Sequence, residues 1–135
     1  PGLTEFDIDG CRVWAADTIH DGDRYRDVPH CSYFLEMDGQ TVFIAGDGSD
    51  LGELKNRYGR LLPNHVDVVF VNLYQAFAQN VHQFIRDFTA SRIYLYHLPF
   101  RQDDCYQFWM QAGQAVRSFP SDLPPLKILT HMNWH

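Results

Sequence analysis

The sequence predicts an α/β fold, on the border with α+β, in which an antiparallel meander leads into β-α-β units of one mixed sheet with helices on one face. Asp-Gly dipeptides at 9–10 and 38–39 each join two short runs of β-forming residues, as a two-residue hairpin turn requires. From residue 50 onward, helical patterns alternate with short apolar runs that are typical of strands buried on both faces. The 135 residues (1–135) are expected to form a single domain.

The meander is predicted from the β-forming runs on both sides of the two turns. Its strands are expected at 3–8, 11–16, 32–37 and 41–45. The polar stretch 18–29 has no period and is predicted to be a loop. We expect one apolar face on these strands, carrying Phe34, Val42 and Ile44.

The second part of the chain is predicted to alternate helices with buried strands. Helices are expected from Ser49 or Asp50 to about Leu62, at 76–88 and at 103–119, and strands at 66–73, 92–96 and 126–130. Ser49 or Asp50 is expected to cap the first helix, and Pro63 to end it.

Composition and charge narrow the classes of partner. The formal net charge of −6 disfavours a nucleic acid, because binding a phosphate backbone needs clustered Lys and Arg, whereas a small-molecule substrate needs only local groups. No stretch approaches the ~20 apolar residues of a membrane span. The three cysteines are odd in number and lack C-x-x-C spacing, which predicts free thiols in a reducing compartment and hence the cytoplasm.

Three residues that can carry chemistry each follow a predicted strand: His20, Asp47 and His97. Strand ends are where sheet proteins with outer helices build their sites. Two imidazoles and a carboxylate suit a divalent metal such as zinc, manganese or iron. His30, directly before a strand, could replace His20 as the metal ligand. The alternative interpretation is a capping aspartate with loop histidines.

The order of four stretches resembles the second half of a metallo-β-lactamase-fold hydrolase: FDIDGCRVWAADTIH, CSYFLEMDGQTVFIAGD, VDVVFVNL and SRIYLYHLP. The chain looks most similar to the branch that includes the ascorbate-6-phosphate lactonases. In that branch a strand ends in a histidine, a hairpin with a D-G turn leads into a G-D element, and a later strand ends in a histidine. The matching elements here are His20, Gly46-Asp47 and His97.

This resemblance implies a metal-dependent hydrolase. His20 would bind one metal, Asp47 would bridge two metals and His97 would bind the other. Zinc is the first choice of metal, with manganese or iron as alternatives. A metal-bound hydroxide would then attack an ester, lactone or phosphodiester bond of a small molecule.

The H-x-H-x-D-H motif of such hydrolases is absent, since the chain contains no His-x-His. The resemblance therefore implies the C-terminal half of an α/β-β/α sandwich, with little activity expected from this chain alone. Its partner would be the missing N-terminal half or a second copy in a homodimer. The alternative function is a non-catalytic binding or assembly module that oligomerises through its sheet face. A nucleotide-binding domain is disfavoured, because the glycines at 46–48 lack G-x-G-x-x-G spacing.

Overall fold

Seven strands form one mixed sheet in which the spatial order follows the chain order. The computed structural model describes residues 2–130. The strands are β1 (Leu3–Ile8), β2 (Cys11–Asp17), β3 (Cys31–Met37), β4 (Gln40–Ile44), β5 (Val68–Val71), β6 (Arg92–Leu95) and β7 (Leu126–Ile128). Neighbours pair antiparallel from β1 to β4 and parallel from β4 to β7. The predicted fold class, a meander followed by β-α-β units, is confirmed.

The two predicted hairpin turns are confirmed by their backbone angles. Asp9 and Gly10 have φ angles of 47° and 84°, and Asp38 and Gly39 have 52° and 76°. Positive φ at both central positions defines the turn whose twist matches that of the flanking strands. The turns therefore fix the register of the first four strands.

The helices are shorter than predicted: α1 (Leu54–Tyr58), α2 (Leu73–Phe77), α3 (Gln79–Asp87) and α4 (Phe108–Ser118). The helix predicted at 76–88 is interrupted at Ala78, whose ψ of 126° is extended. Helical structure begins before the predicted residue 76, because Asn72 and Gln75 form a capping box that starts α2 directly after β5. No helix between residues 2 and 130 has the length and apolar character needed to cross a bilayer.

The core lies between the sheet and the helices. Phe34 and Phe43 are cross-strand neighbours, and they contact Phe84 and Phe88 of the α3 region with ring centroids 4.2 to 6.0 Å apart. All four rings are fully buried. Such aromatic pairs stabilise the fold beyond their burial alone.

The core fills one side of the sheet, and the apolar side chains on the opposite side lie outside the core cluster of residues 2–130. The expected apolar face was wrong, because side chains alternate along a strand. Phe34 faces the helices, whereas Val42 pairs with Leu35 on the other side. We call this other side the open sheet face; its half-buried apolar residues are Leu35, Val42, Ile44, Phe70 and Tyr94.

Candidate metal centre

The site residues meet because four strands point the same way. β2 and β4 are both antiparallel to β3, and β5 and β6 are parallel to β4, so their carboxyl ends share one edge of the sheet. His20, Asp47 and His97 all follow strands at this edge, as predicted. The loop that carries His20 is joined to the loop of Asp47 by the Asp21 N–H, which donates to the Asp47 carbonyl at 2.7 Å.

His20 and Asp47 face each other across a short gap. The His20 Nε2 atom lies 3.6 Å from the Asp47 Oδ2 atom, and the two side chains are 23% and 43% exposed. His20 Nδ1 lies 2.8 Å from the Asp21 carbonyl oxygen, which only accepts, so Nδ1 carries the proton. In the neutral imidazole the Nε2 lone pair is therefore turned toward a carboxylate oxygen. Two such donors repel unless a proton or a cation lies between them.

His30 holds the turn that presents Asp47. Its Nε2 atom accepts the Asp47 backbone N–H at 3.0 Å, so its Nδ1 atom carries the proton and donates to Thr18 Oγ1 at 2.7 Å. Burial is the main cause that lowers the pKa of His30, and it outweighs the opposing effect of the Asp47 and Asp50 carboxylates, which favours this neutral form. Acting as a substitute for His20 would require His30 to give up both hydrogen bonds.

The hydrogen bonds continue from His30 into the core in one consistent direction. Thr18 Oγ1 donates to Ser32 Oγ at 3.0 Å, and Ser32 Oγ donates to the Ala45 carbonyl at 2.7 Å. Ser32 is fully buried. Buried polar groups are costly unless they are paired. This series of hydrogen bonds therefore connects the end of β4 to the loop after β2.

Two amides from α2 hold the same turn from the other side. The Asn72 side chain donates to the Gly46 carbonyl at 3.3 Å and to Asp47 Oδ1 at 3.2 Å. The Gln75 side chain donates to the Gly46 and Gly48 carbonyls at 3.0 and 2.8 Å. Asn72 and Gln75 are not among the residues predicted from the sequence; the N-x-x-Q spacing of their capping box is the signal that marks them.

Four buried polar side chains thus hold residues 45–48: Ser32, Asn72 and Gln75 bond to this segment directly, and Thr18 bonds to Ser32. Fully satisfied networks of this kind make a structure rigid. Asp47 is consequently held at its backbone by His30 and at its carboxylate by Asn72. Its second carboxylate oxygen remains for His20 and for a ligand.

His97 lines a cavity that Asp47 also lines. It follows β6 with a φ of 64°, a left-handed conformation that is uncommon outside glycine and that often marks a functional position. Together with Asp47 it lines a cavity of about 360 Å³, whose other walls are Asn72, Leu73, Tyr74, Leu98, Pro99 and Phe108. The structure therefore brings His20 to Asp47 directly, and His97 to the same cavity.

Tyr96 is a further residue of this edge that the sequence did not indicate. Burial raises the pKa of Tyr96, the charge of Asp47 adds to the rise, and a hydrogen bond with the Gly46 backbone opposes it. The phenol therefore faces the same turn from β6.

The donors fit part of a metal centre. A tetrahedral zinc ion has ligand atoms roughly 3.3 Å apart, given bonds of about 2.0–2.1 Å, and the His20–Asp47 gap of 3.6 Å is compatible with that spacing. Within residues 2–130, however, no three His, Cys, Asp or Glu side chains come close enough together to hold a metal ion. His20 and Asp47 could therefore hold a metal ion only together with at least one further ligand.

Solved structures share this fold. CmlA, a diiron β-hydroxylase from Streptomyces venezuelae, aligns with a TM-score of 0.65 and 11% identity over 95% of this chain. A Thermotoga maritima protein, described as a candidate Zn-dependent hydrolase of the metallo-β-lactamase superfamily, aligns with a TM-score of 0.58, 13% identity and 95% coverage. The metallo-β-lactamase-fold protein YhfI from Bacillus subtilis aligns with a TM-score of 0.51 and 11% identity over 94% of this chain.

The chain spans only part of each of these proteins: 31–32% of CmlA, 69% of the Thermotoga protein and 50% of YhfI. No protein-family model and no curated protein matches the sequence. At these identities the likeness concerns the fold alone. This chain therefore has an architecture found in metallo-β-lactamase-fold proteins.

Proposed function

We propose that this chain is the C-terminal half of a metal-dependent hydrolase that cleaves an ester, lactone or phosphodiester bond in a small molecule. The observation that carries the proposal is the gap of 3.6 Å between His20 Nε2 and Asp47 Oδ2, where two electron-pair donors share one space. A divalent cation between the two atoms would satisfy both of them, as a proton on Nε2 also would, and the metal content of the protein distinguishes the two cases. The ascorbate-6-phosphate lactonase-like branch remains our proposal for the nearest relatives.

A divalent metal, with zinc as the first choice and manganese or iron as alternatives, would activate water and polarise the reacting bond. His20 and Asp47 would hold it, and His97 would serve a second ion at the same cavity. Asn72 keeps the Asp47 carboxylate in one orientation, because its amide donates to Oδ1. Leu73, Leu98 and Phe108 give the cavity apolar walls.

The remaining ligands come, in this proposal, from an N-terminal half or from a second copy of the chain. The partner would cover the open sheet face, where Tyr33 is 41% exposed beside half-buried Leu35 and Ile44. An uncovered apolar sheet face favours association. We expect little activity from this chain alone. The free cysteines suit a reducing compartment such as the cytoplasm.

The same open sheet face supports the second candidate function, a non-catalytic module that assembles through it. The substitution Leu35→Lys would place a charge on that face without touching the core beneath the helices. If assembly is the function, Leu35→Lys lowers the mass measured by light scattering and leaves metal content unchanged. If the hydrolase proposal holds, metal content falls in Asp47→Ala; where a second copy supplies the missing ligands, it falls in Leu35→Lys as well.

Metal content tests the hydrolase proposal. Plasma mass spectrometry on the purified, tag-free chain, after incubation with zinc and removal of free ions, should find metal in the native protein. Asp47→Ala should lose most of it, whereas Asp7→Ala, which removes an exposed carboxylate of β1, should not. Equal metal in the native protein and both variants would contradict the proposal. Circular dichroism of each variant checks that the fold survives.

A further inference from the structure

A second cavity adjoins the cavity of the candidate metal centre at His97. It measures about 600 Å³ and shares three residues, His97, Leu98 and Pro99, with the cavity of the candidate metal centre. Its other walls are Tyr96, Phe100, Arg101, Gln102, Trp109, Leu129 and Thr130. A small molecule fits such a volume, because small-molecule sites measure about 300–1,000 Å³.

The aromatic wall of this cavity is fixed in place. Asp104 accepts the backbone N–H groups of Phe108 and Trp109 at 2.7 and 2.9 Å, which anchors the start of α4. The Trp109 indole N–H donates to the Pro99 carbonyl at 2.8 Å, which joins α4 to the loop after β6. The indole ring therefore has a defined orientation before any ligand arrives.

Arg101 provides a positive charge at the same cavity. Its guanidinium carbon lies 4.1 Å from the centre of the Trp109 ring, a cation–π contact that holds it over the ring. In the part of the chain that the structure describes, the ion pairs involve other residues and none includes Arg101. Stacking on the ring leaves the N–H edges of a guanidinium available, and these edges match carboxylate and phosphate oxygens.

We propose that this cavity binds a small molecule with a flat apolar group that ends in a carboxylate or phosphate. Trp109 and Tyr96 contact the apolar group, and Arg101 donates to the anion. The further step, that this molecule is the part of the substrate remote from the reacting bond, rests on the proposed function, because His97 borders both cavities. Arg101 then selects anionic substrates in a protein whose net charge of −6 otherwise repels them.

The test follows the indole N–H signals of the metal-free protein in ¹⁵N NMR spectra during titration with phenylacetate, phenyl phosphate and benzyl alcohol. Trp109 is assigned through the signal lost in Trp109→Phe. We expect a saturable shift of Trp109 with one or both anions and at least about tenfold weaker binding of benzyl alcohol, since a charge-assisted hydrogen bond is lost. Which anion binds tighter distinguishes a carboxylate ligand from a phosphate ligand.

Arg101→Gln should weaken anion binding about tenfold, Arg101→Lys less, and Arg117→Gln, a matched charge removal in the last turn of α4, not at all. Equal affinity in Arg101→Gln, equal affinity for benzyl alcohol, or an unmoved Trp109 signal would overturn the proposal. Because no metal is added, these outcomes are independent of the proposed hydrolase function. If the protein binds the anions but no metal, the anion site stands, and only the proposal that the anion is part of a hydrolase substrate fails.

Discussion

The Nε2 atom of His30 accepts the backbone N–H of Asp47 at 3.0 Å, so the carboxylate at the candidate metal centre is presented by a turn that a histidine holds. Gly46, the preceding residue, has a φ of 60°, and a Cβ atom added to it would lie 2.8 Å from His30 Nε2. The turn can therefore have this shape only with glycine at position 46.

The first prediction concerns Gly46→Ala. The new methyl group would displace His30 and also strain the backbone, because a left-handed L-residue costs about 1–2 kcal/mol. The loss of the hydrogen bond to Asp47 adds about 1 kcal/mol. We expect the free energy of unfolding, measured with urea, to fall by about 2–4 kcal/mol.

Gly10→Ala is the matched control for this strain. Gly10 also has positive φ, at 84°, but an added Cβ would meet nothing within 4 Å. Only the backbone cost of about 1–2 kcal/mol should then appear. Equal losses in the two variants would show that His30 makes no steric contact of importance with the turn.

The second prediction concerns Gln75→Ala. The Gln75 amide donates to two carbonyls of the turn; its removal leaves the Gly48 carbonyl without this donor, at a cost of about 1–3 kcal/mol, whereas the Gly46 carbonyl keeps its bond from Asn72. We expect this loss in the free energy of unfolding, together with weaker metal binding because Asp47 is no longer held. Asn80→Ala is the control, since Asn80 donates to the nearby Ser49 carbonyl at 2.8 Å but does not hold the turn. Asn80→Ala should leave metal binding unchanged; a similar loss in both variants would contradict the special role of Gln75.

Much of the fold follows from local patterns. The Asp-Gly turns and the bounds of β1 could be predicted because a two-residue hairpin has few solutions. The sheet face of Val42 could not be predicted from a run such as Thr41–Ile44, in which nearly every residue is apolar and both faces look alike. The break at Ala78 was missed because the apolar stripe continues through it.

The candidate site could be predicted only in part. His20, Asp47 and His97 were each predicted to follow a strand, and the strand directions of the structure bring these three positions to one edge of the sheet. The roles of His30 and Gln75 depend on long-range contacts, which no local pattern encodes. His30 lies 17 positions from Asp47 in the sequence, and Gln75 lies 29 positions from Gly46. Asp50 shows the same limit: it was expected to cap a helix, but its Oδ1 accepts the Ile19 N–H at 2.8 Å and so fixes the loop of His20.

The third prediction concerns the pH dependence of the protein's stability. It rests on a contact at the opposite edge of the sheet. The Thr41 backbone N–H donates to Asp67 at 2.8 Å, and this bond, assisted by His65, lowers the pKa of Asp67. A carboxyl whose pKa is lower in the folded state stabilises the fold above its unfolded pKa of about 3.9. That stabilisation should be lost as the pH falls from about 5 through the folded pKa.

Asp67→Asn tests this prediction because it preserves the shape and an acceptor but not the charge. We expect the native protein to have the higher melting temperature at pH 7, and the difference to shrink as the pH falls below about 4. A difference that stays constant down to pH 2 would mean that the charge of Asp67 does not stabilise the fold.

The central claim is that His20 and Asp47 form part of one metal site. The most direct measurement is a zinc titration of the native chain and of Asp47→Ala, followed through the histidine ring nitrogens in long-range ¹H–¹⁵N NMR spectra. We predict that the His20 Nε2 signal shifts in the native protein, that His30 keeps its signals, and that the His20 shift disappears in Asp47→Ala. An unmoved His20, or a His20 shift that persists unchanged in Asp47→Ala, would contradict the account.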